Sequence, residues 1–182
     1  STIQLNLIYG NGNSGIDCAN GATASIYQNT LADNLFGITV SDSDPVLRNN
    51  LITGSVTGIS CENAEPEIGF NNVFGNSNEN YLNCPAGVGV FTTVNFNNDA
   101  SDIFFNISRD PLYVDAAAGD FRIAQGSHCI DAGDPANPAG MSYSGPRPDI
   151  GFFEVVGGVV SVSRREYARP SSHRLEQNYP NP

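Results

Sequence analysis

The chain contains no lysine. Its basic residues are Arg48, Arg109, Arg122, Arg147, Arg164, Arg165, Arg169 and Arg174, and half of these follow residue 162. Residues 1 to 162 carry 17 Asp and Glu against 4 Arg, a net of −13. Such a body repels phosphate backbones, so nucleic acid is excluded as an expected partner. It also repels anionic polysaccharides unless cations bridge the two. Long apolar runs are missing as well: nothing approaches the ~18 residues that a membrane-spanning helix needs, and no membrane insertion is expected. Ser1-Thr2-Ile3-Gln4 lacks the basic start and apolar stretch of a secretory leader, which places any leader upstream of Ser1. Histidine is scarce: His128 has no evident acid partner and His173 falls in a polar stretch, so neither suggests a catalytic triad.

Turn chemistry is abundant instead. The 19 Gly, the 11 Pro and many Asn are spread along the whole chain and are not gathered in linkers. With 40% apolar and 15% charged residues, the profile is not that of a disordered chain.

Internal repetition decides the architecture. NLIYGNGNSGIDC, NTLADNLFGITV and NLITGSVTGISC follow one another, with NVFGNSNENYLNC as a looser fourth copy. Aligned, they give an asparagine column of Asn6, Asn29, Asn50 and Asn72, and an apolar column of Ile8, Leu31, Ile52 and Phe74. A glycine column of Gly15, Gly37 and Gly58 is followed by Ile16, Ile38, Ile59 and Leu82, then by Cys18, Val40, Cys61 and Cys84. A last column holds Ile26, Leu47 and Ile68. Apolar residues two apart share one side of a strand. Three short strands per turn, coiled and stacked, would bury every patch in one central column. The predicted fold is all-β: a parallel β-helix, or solenoid, with rungs of 21 to 23 residues. The Asn column fits a tight left-handed bend and amides that bond from rung to rung. The Gly column fits positive φ or a lack of room for Cβ.

These rungs resemble the right-handed parallel β-helix repeats of the pectate-lyase-like architecture, over residues 1 to about 155. The order Asp110-Pro111-Leu112-Tyr113-Val114-Asp115, Gly119-Asp120-Phe121-Arg122-Ile123, Cys129-Ile130-Asp131-Ala132-Gly133-Asp134-Pro135 and Arg147-Pro148-Asp149-Ile150-Gly151-Phe152-Phe153-Glu154 resembles the closing segment of bacterial secreted members. Right-handedness is what the resemblance implies. Val155 to Val162 reads as one more strand, and Ser163 to Arg174 as a flexible linker; residues 156–174 form this terminal strand and linker. Leu175-Glu176-Gln177-Asn178-Tyr179-Pro180-Asn181-Pro182 resembles the opening of the C-terminal sorting domain of type IX secretion cargo in Bacteroidetes and related bacteria. That resemblance implies the type IX machinery as a partner of the complete protein, and an extracellular or outer-surface location.

Four sites follow from the columns. Cys18, Cys61 and Cys84, with Cys129 of the closing segment, read as small buried hydrophobes, because in-register neighbours about 4.7–4.9 Å apart stand too far apart for a bridge; a Cys61–Cys84 bridge is the alternative. Tyr27 and Arg48 share an outward column and are candidates for glycan contact. Asp42, Asp44, Glu62, Glu65 and Glu67 gather at turns, where they either keep the solenoid soluble or bind Ca²⁺ through oxygen ligands. Asp131, Asp134, Arg147 and Asp149 sit in the closing segment, where an Arg–carboxylate fork is expected to pin two loops together. No catalytic residue and no resident cofactor is assigned.

The repeat begins within a few residues of Ser1, with Asn6 already in register, which leads us to expect further rungs upstream. The favoured function is the C-terminal part of an exported β-helix protein in glycan contact or adhesion, without catalysis in this chain. One alternative is a polysaccharide lyase or glycoside hydrolase whose active residues lie upstream; another is a structural spacer or an end-to-end assembling solenoid.

Overall fold

The computed structural model describes residues 1–156 and 159–161. Its first part is four turns of a β-solenoid. The first rung is β1 (Thr2–Gln4), β2 (Leu7–Tyr9) and β3 (Ser14–Ala19); the second is β4 (Ser25–Tyr27), β5 (Thr30–Ala32) and β6 (Phe36–Ser41). The third is β7 (Val46–Arg48), β8 (Leu51–Thr53) and β9 (Thr57–Glu62), and the fourth is β10 (Glu67–Gly69), β11 (Asn72–Phe74) and β12 (Glu79–Leu82). Strands of like position stack into three parallel four-stranded sheets: β1-β4-β7-β10, β2-β5-β8-β11 and β3-β6-β9-β12. Register offsets of 21 to 23 residues reproduce the expected rung length. No helix among the described residues is long and apolar enough to cross a membrane.

The inward columns form one continuous core of Ile16, Cys18, Ile26, Leu31, Ile38, Val40, Leu47, Ile52, Ile59, Cys61, Ile68 and Val73. Each fully buried Ile or Leu contributes roughly 1.5–3 kcal/mol relative to exposure. The glycine column settles on lack of room: a Cβ on Gly37 would meet Ile52 and the Gly58 carbonyl, and one on Gly58 would meet Val73 and the Asn80 carbonyl.

The fourth rung departs from the expected columns by one residue. Val73, not Phe74, continues Ile8, Leu31 and Ile52; Tyr81, not Leu82, pairs with Ile59. Asn71, not Asn72, extends the ladder of Asn6, Asn29 and Asn50, its Oδ1 accepting from Asn50 Nδ2 at 3.0 Å. Two asparagines stand side by side there, and the 21-residue offset already set by Asn29 to Asn50 selects the first. Asn72 instead binds the closing segment through the Arg109 carbonyl and the Cys129 sulfur.

The ladder asparagines are not the residues in left-handed geometry. That conformation falls one position earlier, at Leu5, Gln28, Asn49 and Phe70, all with φ of 56–57°. The asparagine amide then ties the bend to neighbouring carbonyls: Asn29 Nδ2 donates to Ile3 O and Asn50 Nδ2 to Ile26 O.

Beyond the fourth rung the hairpin β13 (Thr93–Val94) and β14 (Ala100–Ser101) leads into Asp102 to Ile107, which lies on the last rung. Asn106 adds one more step to the ladder on Asn71. Residues 110 to 156 then follow a different course from an end cap. They run back across the outer face of the second sheet, with β15 (Tyr113–Asp115) and β16 (Asp120–Ile123) as an antiparallel pair. Phe152 N donates to Thr30 Oγ1, Gly151 N to Asn49 O, and Phe121 packs on Ala32 and Leu7. The expected single terminal strand is two: β17 (Glu154–Val156) pairs antiparallel with β18 (Val159–Ser161). The linker and the sorting-domain-like terminus from residue 162 onward lie outside the described residues.

Candidate functional site

The outward column of the second sheet is Tyr9, Ala32, Thr53 and Phe74, in register across four rungs. Its two middle members are small, and the closing layer fills the space above them with rings. Phe121 sits over Ala32, and the Tyr113 hydroxyl is 2.9 Å from Thr53 Oγ1. Tyr9 and Phe121 are tilted rings with centroids 5.1 Å apart, and Phe121 meets Tyr113 edge to face at 5.2 Å. A row of aromatics, Tyr9–Phe121–Tyr113–Phe74, therefore crosses all four rungs. Such contacts add about 0.5–1.5 kcal/mol per pair to ordinary burial.

Beside this row lies a cleft of about 220 Å³, lined by Asp33, Gly54, Phe74, Asp110, Tyr113 and Phe121 among others. Asp33 has φ +53 in a column where Gly10, Gly54 and Gly75 supply glycine in the same left-handed conformation. An aspartate there costs about 1 kcal/mol or more relative to glycine. Its carboxylate uses the space that a side chain on Gly54 would take. Asp110 lies across the cleft, with Oδ1 accepting from Leu112 N at 2.9 Å. Burial holds the Tyr113 phenol above its ordinary range, and the nearby Asp33 and Asp110 carboxylates reinforce this. Tyr113 is thus a neutral phenol whose hydroxyl pairs with Thr53, in a cleft that also holds two carboxylates.

None of Asp33, Asp110 and Tyr113 stands out as a site in the sequence. Tyr113 and Asp110 were legible only as parts of the closing motif. The signal for Asp33 was the one non-glycine in a turn column that is otherwise glycine.

Tyr27 and Arg48 are register partners on β4 and β7. Arg48 is engaged: it pairs with Glu67, donates to Asp134 Oδ2 at 2.6 Å, and lies over the Phe70 ring. Asp42, Asp44, Glu62 and Glu65 are exposed at turns of the third sheet, and Asp44 Oδ1 accepts from Glu65 N. Among the described residues no group of three or more His, Cys, Asp or Glu converges as a metal site.

The expected Arg147 fork does not form. Arg147 lies with its guanidinium over the Phe96 ring, 3.2 Å from the centroid. Backbone amides hold the carboxylates instead. Asp149 accepts from Asp131 N and Val155 N, and Glu154 accepts from Ser144 N and Asp149 N, all at 2.8–3.0 Å. Burial is the dominant influence and pushes Asp149 up to about 7, with Glu154 raised as well. Amide donors can serve here because the loop folds around each carboxyl, leaving the arginine free to cover an aromatic face. Asp131 lines a second hollow of about 450 Å³ with Gln125, Ser144 and Gly145. His128, expected to lack an acid partner, has one: its Nδ1 is 2.6 Å from Asp99 Oδ1, brought from the β13–β14 hairpin.

A protein-family model described as periplasmic copper-binding protein (NosD) matches residues 1–103. No curated protein and no solved structure matches the chain.

Proposed function

The chain belongs to the family described as periplasmic copper-binding protein (NosD), and on that premise we propose that it is the β-helical part of an exported protein that contacts glycan without turning it over. The aromatic row carries this reading. Its two ends, the exposed Tyr9 and the half-buried Phe74, offer ring faces and edges on the first and fourth rungs over a floor formed by the buried Phe121, and the Asp33 and Asp110 carboxylates beside them are hydrogen-bonding partners for sugar hydroxyls. The strained Asp33 supports a role for that carboxylate beyond packing. A neutral glycan suits the acidic body better than an anionic one.

The periplasmic description of the family supports export. Release to the cell surface or medium through the type IX machinery rests on the Leu175–Pro182 motif alone. Copper finds no fitting donor set among the described residues. The Cys61 and Cys84 sulfurs are 3.2 Å apart. With metal–sulfur bonds of about 2.3 Å, an ion between them would subtend roughly 90°, a bite that requires further ligands. No third Cys, His, Asp or Glu completes it among the described residues.

The test is affinity electrophoresis of the chain through gels containing neutral polysaccharides, with reducing ends assayed in parallel. The expected result is retardation by at least one glycan, lost on replacing Tyr9 and Phe74 together by Ala, with no new reducing ends. Equal retardation of the double variant, no retardation at all, or released sugar would each overturn the proposal.

A further inference from the structure

We propose that Cys61 and Cys84 are a redox site that closes to a rung-to-rung disulfide, stapling the last regular rung of the solenoid to the one beneath it. In-register stacking would hold two cysteines a full strand spacing apart, too far for a bond. These two are not in register. Leu82 pairs with Ser60, so the strand would set Asn83 above Cys61. Asn83 instead turns into the left-handed region with φ +52, and β12 ends before it. Cys84 swings inward over Cys61, bringing the two Sγ atoms to 3.2 Å with no backbone in between. Cys61 is buried and Cys84 half-buried, so an incoming oxidant meets Cys84 first.

The remaining cysteines lack such a partner. Cys18 has Val40 above it in register, and Cys129 is buried with its sulfur accepting from Asn72 Nδ2. Burial pushes the Cys129 thiol up to about 12, which keeps it protonated. The hydrogen bond between the two sulfurs holds the Cys61 thiol below its ordinary range, while the same contact and burial raise Cys84. Cys61 is therefore the better placed of the two to finish the exchange.

The oxidant is a disulfide, small or protein-borne. The pair loses one proton to solvent, and the proton that remains between the two sulfurs moves to Cys61 as the more accessible Cys84 attacks the disulfide, forming a mixed disulfide and releasing one thiolate that is protonated by solvent. The Cys61 thiolate then attacks the Cys84 sulfur, the bridge forms, and the second external sulfur leaves with the Cys61 proton. Two electrons pass from the protein thiols to the external disulfide, which ends as two thiols. Closure in the cell needs the oxidising compartment that the proposed export provides. The chemistry itself needs only the geometry.

The experiment equilibrates the chain in a glutathione buffer rich in the oxidised form, alkylates free thiols under denaturing conditions, and maps peptides after chymotryptic digestion. The expected product is a Cys61 peptide joined to a Cys84 peptide, two hydrogens lighter than the pair, with Cys18 and Cys129 alkylated. Oxidation should raise the melting temperature by about 5–10 °C for a link spanning 23 residues, and dithiothreitol should reverse it. Cys84→Ser should lose both the link and the rise; Cys18→Ser should keep both. Full alkylation of Cys61 and Cys84, or glutathione left on Cys84 with no closure, would overturn the proposal. Neither outcome bears on the glycan reading, which is tested by retardation alone.

Discussion

Replacing Asn50 by Ala removes the middle of the asparagine ladder and tests whether its amides stabilise the stack. The Asn50 side chain makes four bonds. Its Oδ1 accepts from Asn29 N at 3.1 Å and Asn29 Nδ2 at 3.0 Å, and its Nδ2 donates to Ile26 O at 2.8 Å and Asn71 Oδ1 at 3.0 Å. Asn29, Asn50 and Asn71 are fully buried, so water does not replace what is lost. Alanine strips the side-chain partner from Asn29 N and Ile26 O, and one partner each from the Asn29 and Asn71 amides. At ~1–3 kcal/mol for a stranded buried group, the sum is roughly 3–5 kcal/mol, a large part of the ~5–15 kcal/mol that a domain has in total. Asn6 makes similar bonds to Asn29 but is exposed, so Asn6→Ala should cost under about 1 kcal/mol. Urea unfolding followed by far-ultraviolet circular dichroism measures both. Similar losses for the two variants, or a loss below about 1 kcal/mol for Asn50→Ala, would refute the buried-amide argument.

Three further outcomes follow. Asp149 has a folded pKa of about 7 against an ordinary 3.8. Its contribution to stability is complete below the ordinary value and fades as pH rises through about 7. The melting temperature should therefore rise between pH 8 and pH 5.5, and a carboxylate NMR titration should find the Asp149 midpoint well above that of an exposed aspartate; a flat profile would contradict this. Gly58→Ala should cost about 2 kcal/mol through the clash with Val73 and the Asn80 carbonyl, while Gly12→Ala, which faces open space, should be near neutral by the same urea assay. Arg48→Met should cost about 2 kcal/mol by thermal denaturation, because it leaves the buried Asp134 carboxylate without its cation.

The solenoid was legible because its columns report one physical constraint repeatedly: a residue stacked on its own kind every 21 to 23 positions. Ile26, Leu47 and Ile68 could be aligned by eye and do stack. The fourth rung misled because Asn71-Asn72 and Val73-Phe74 each offer two residues of suitable type, and only rung length chooses between them. The left-handed bend was placed on the asparagine itself, since Asn tolerates it; the amide instead serves the bend made by the residue before. The cleft was not legible. It depends on Ala32 and Thr53 being small beneath residues about 60 to 90 positions later, and no periodicity reports that. The same holds for His128 and Asp99, which meet through a hairpin outside the repeat.

The lateral course of residues 110 to 156 changes how the protein folds. A bare solenoid is a string of nearest neighbours that can fray rung by rung. Here bonds such as Gln28 to Gly151 and Asn49 to Asp134 join early rungs to the late chain across separations of 123 and 85 residues. The late segment acts as a splint across all four turns, so the rungs melt together in one transition. It also reaches the stack last as the chain emerges in order, leaving the second sheet's outer face uncovered until then. Until that segment docks, the rungs are coiled but unlocked, and the aromatic row is completed only by the segment that locks them.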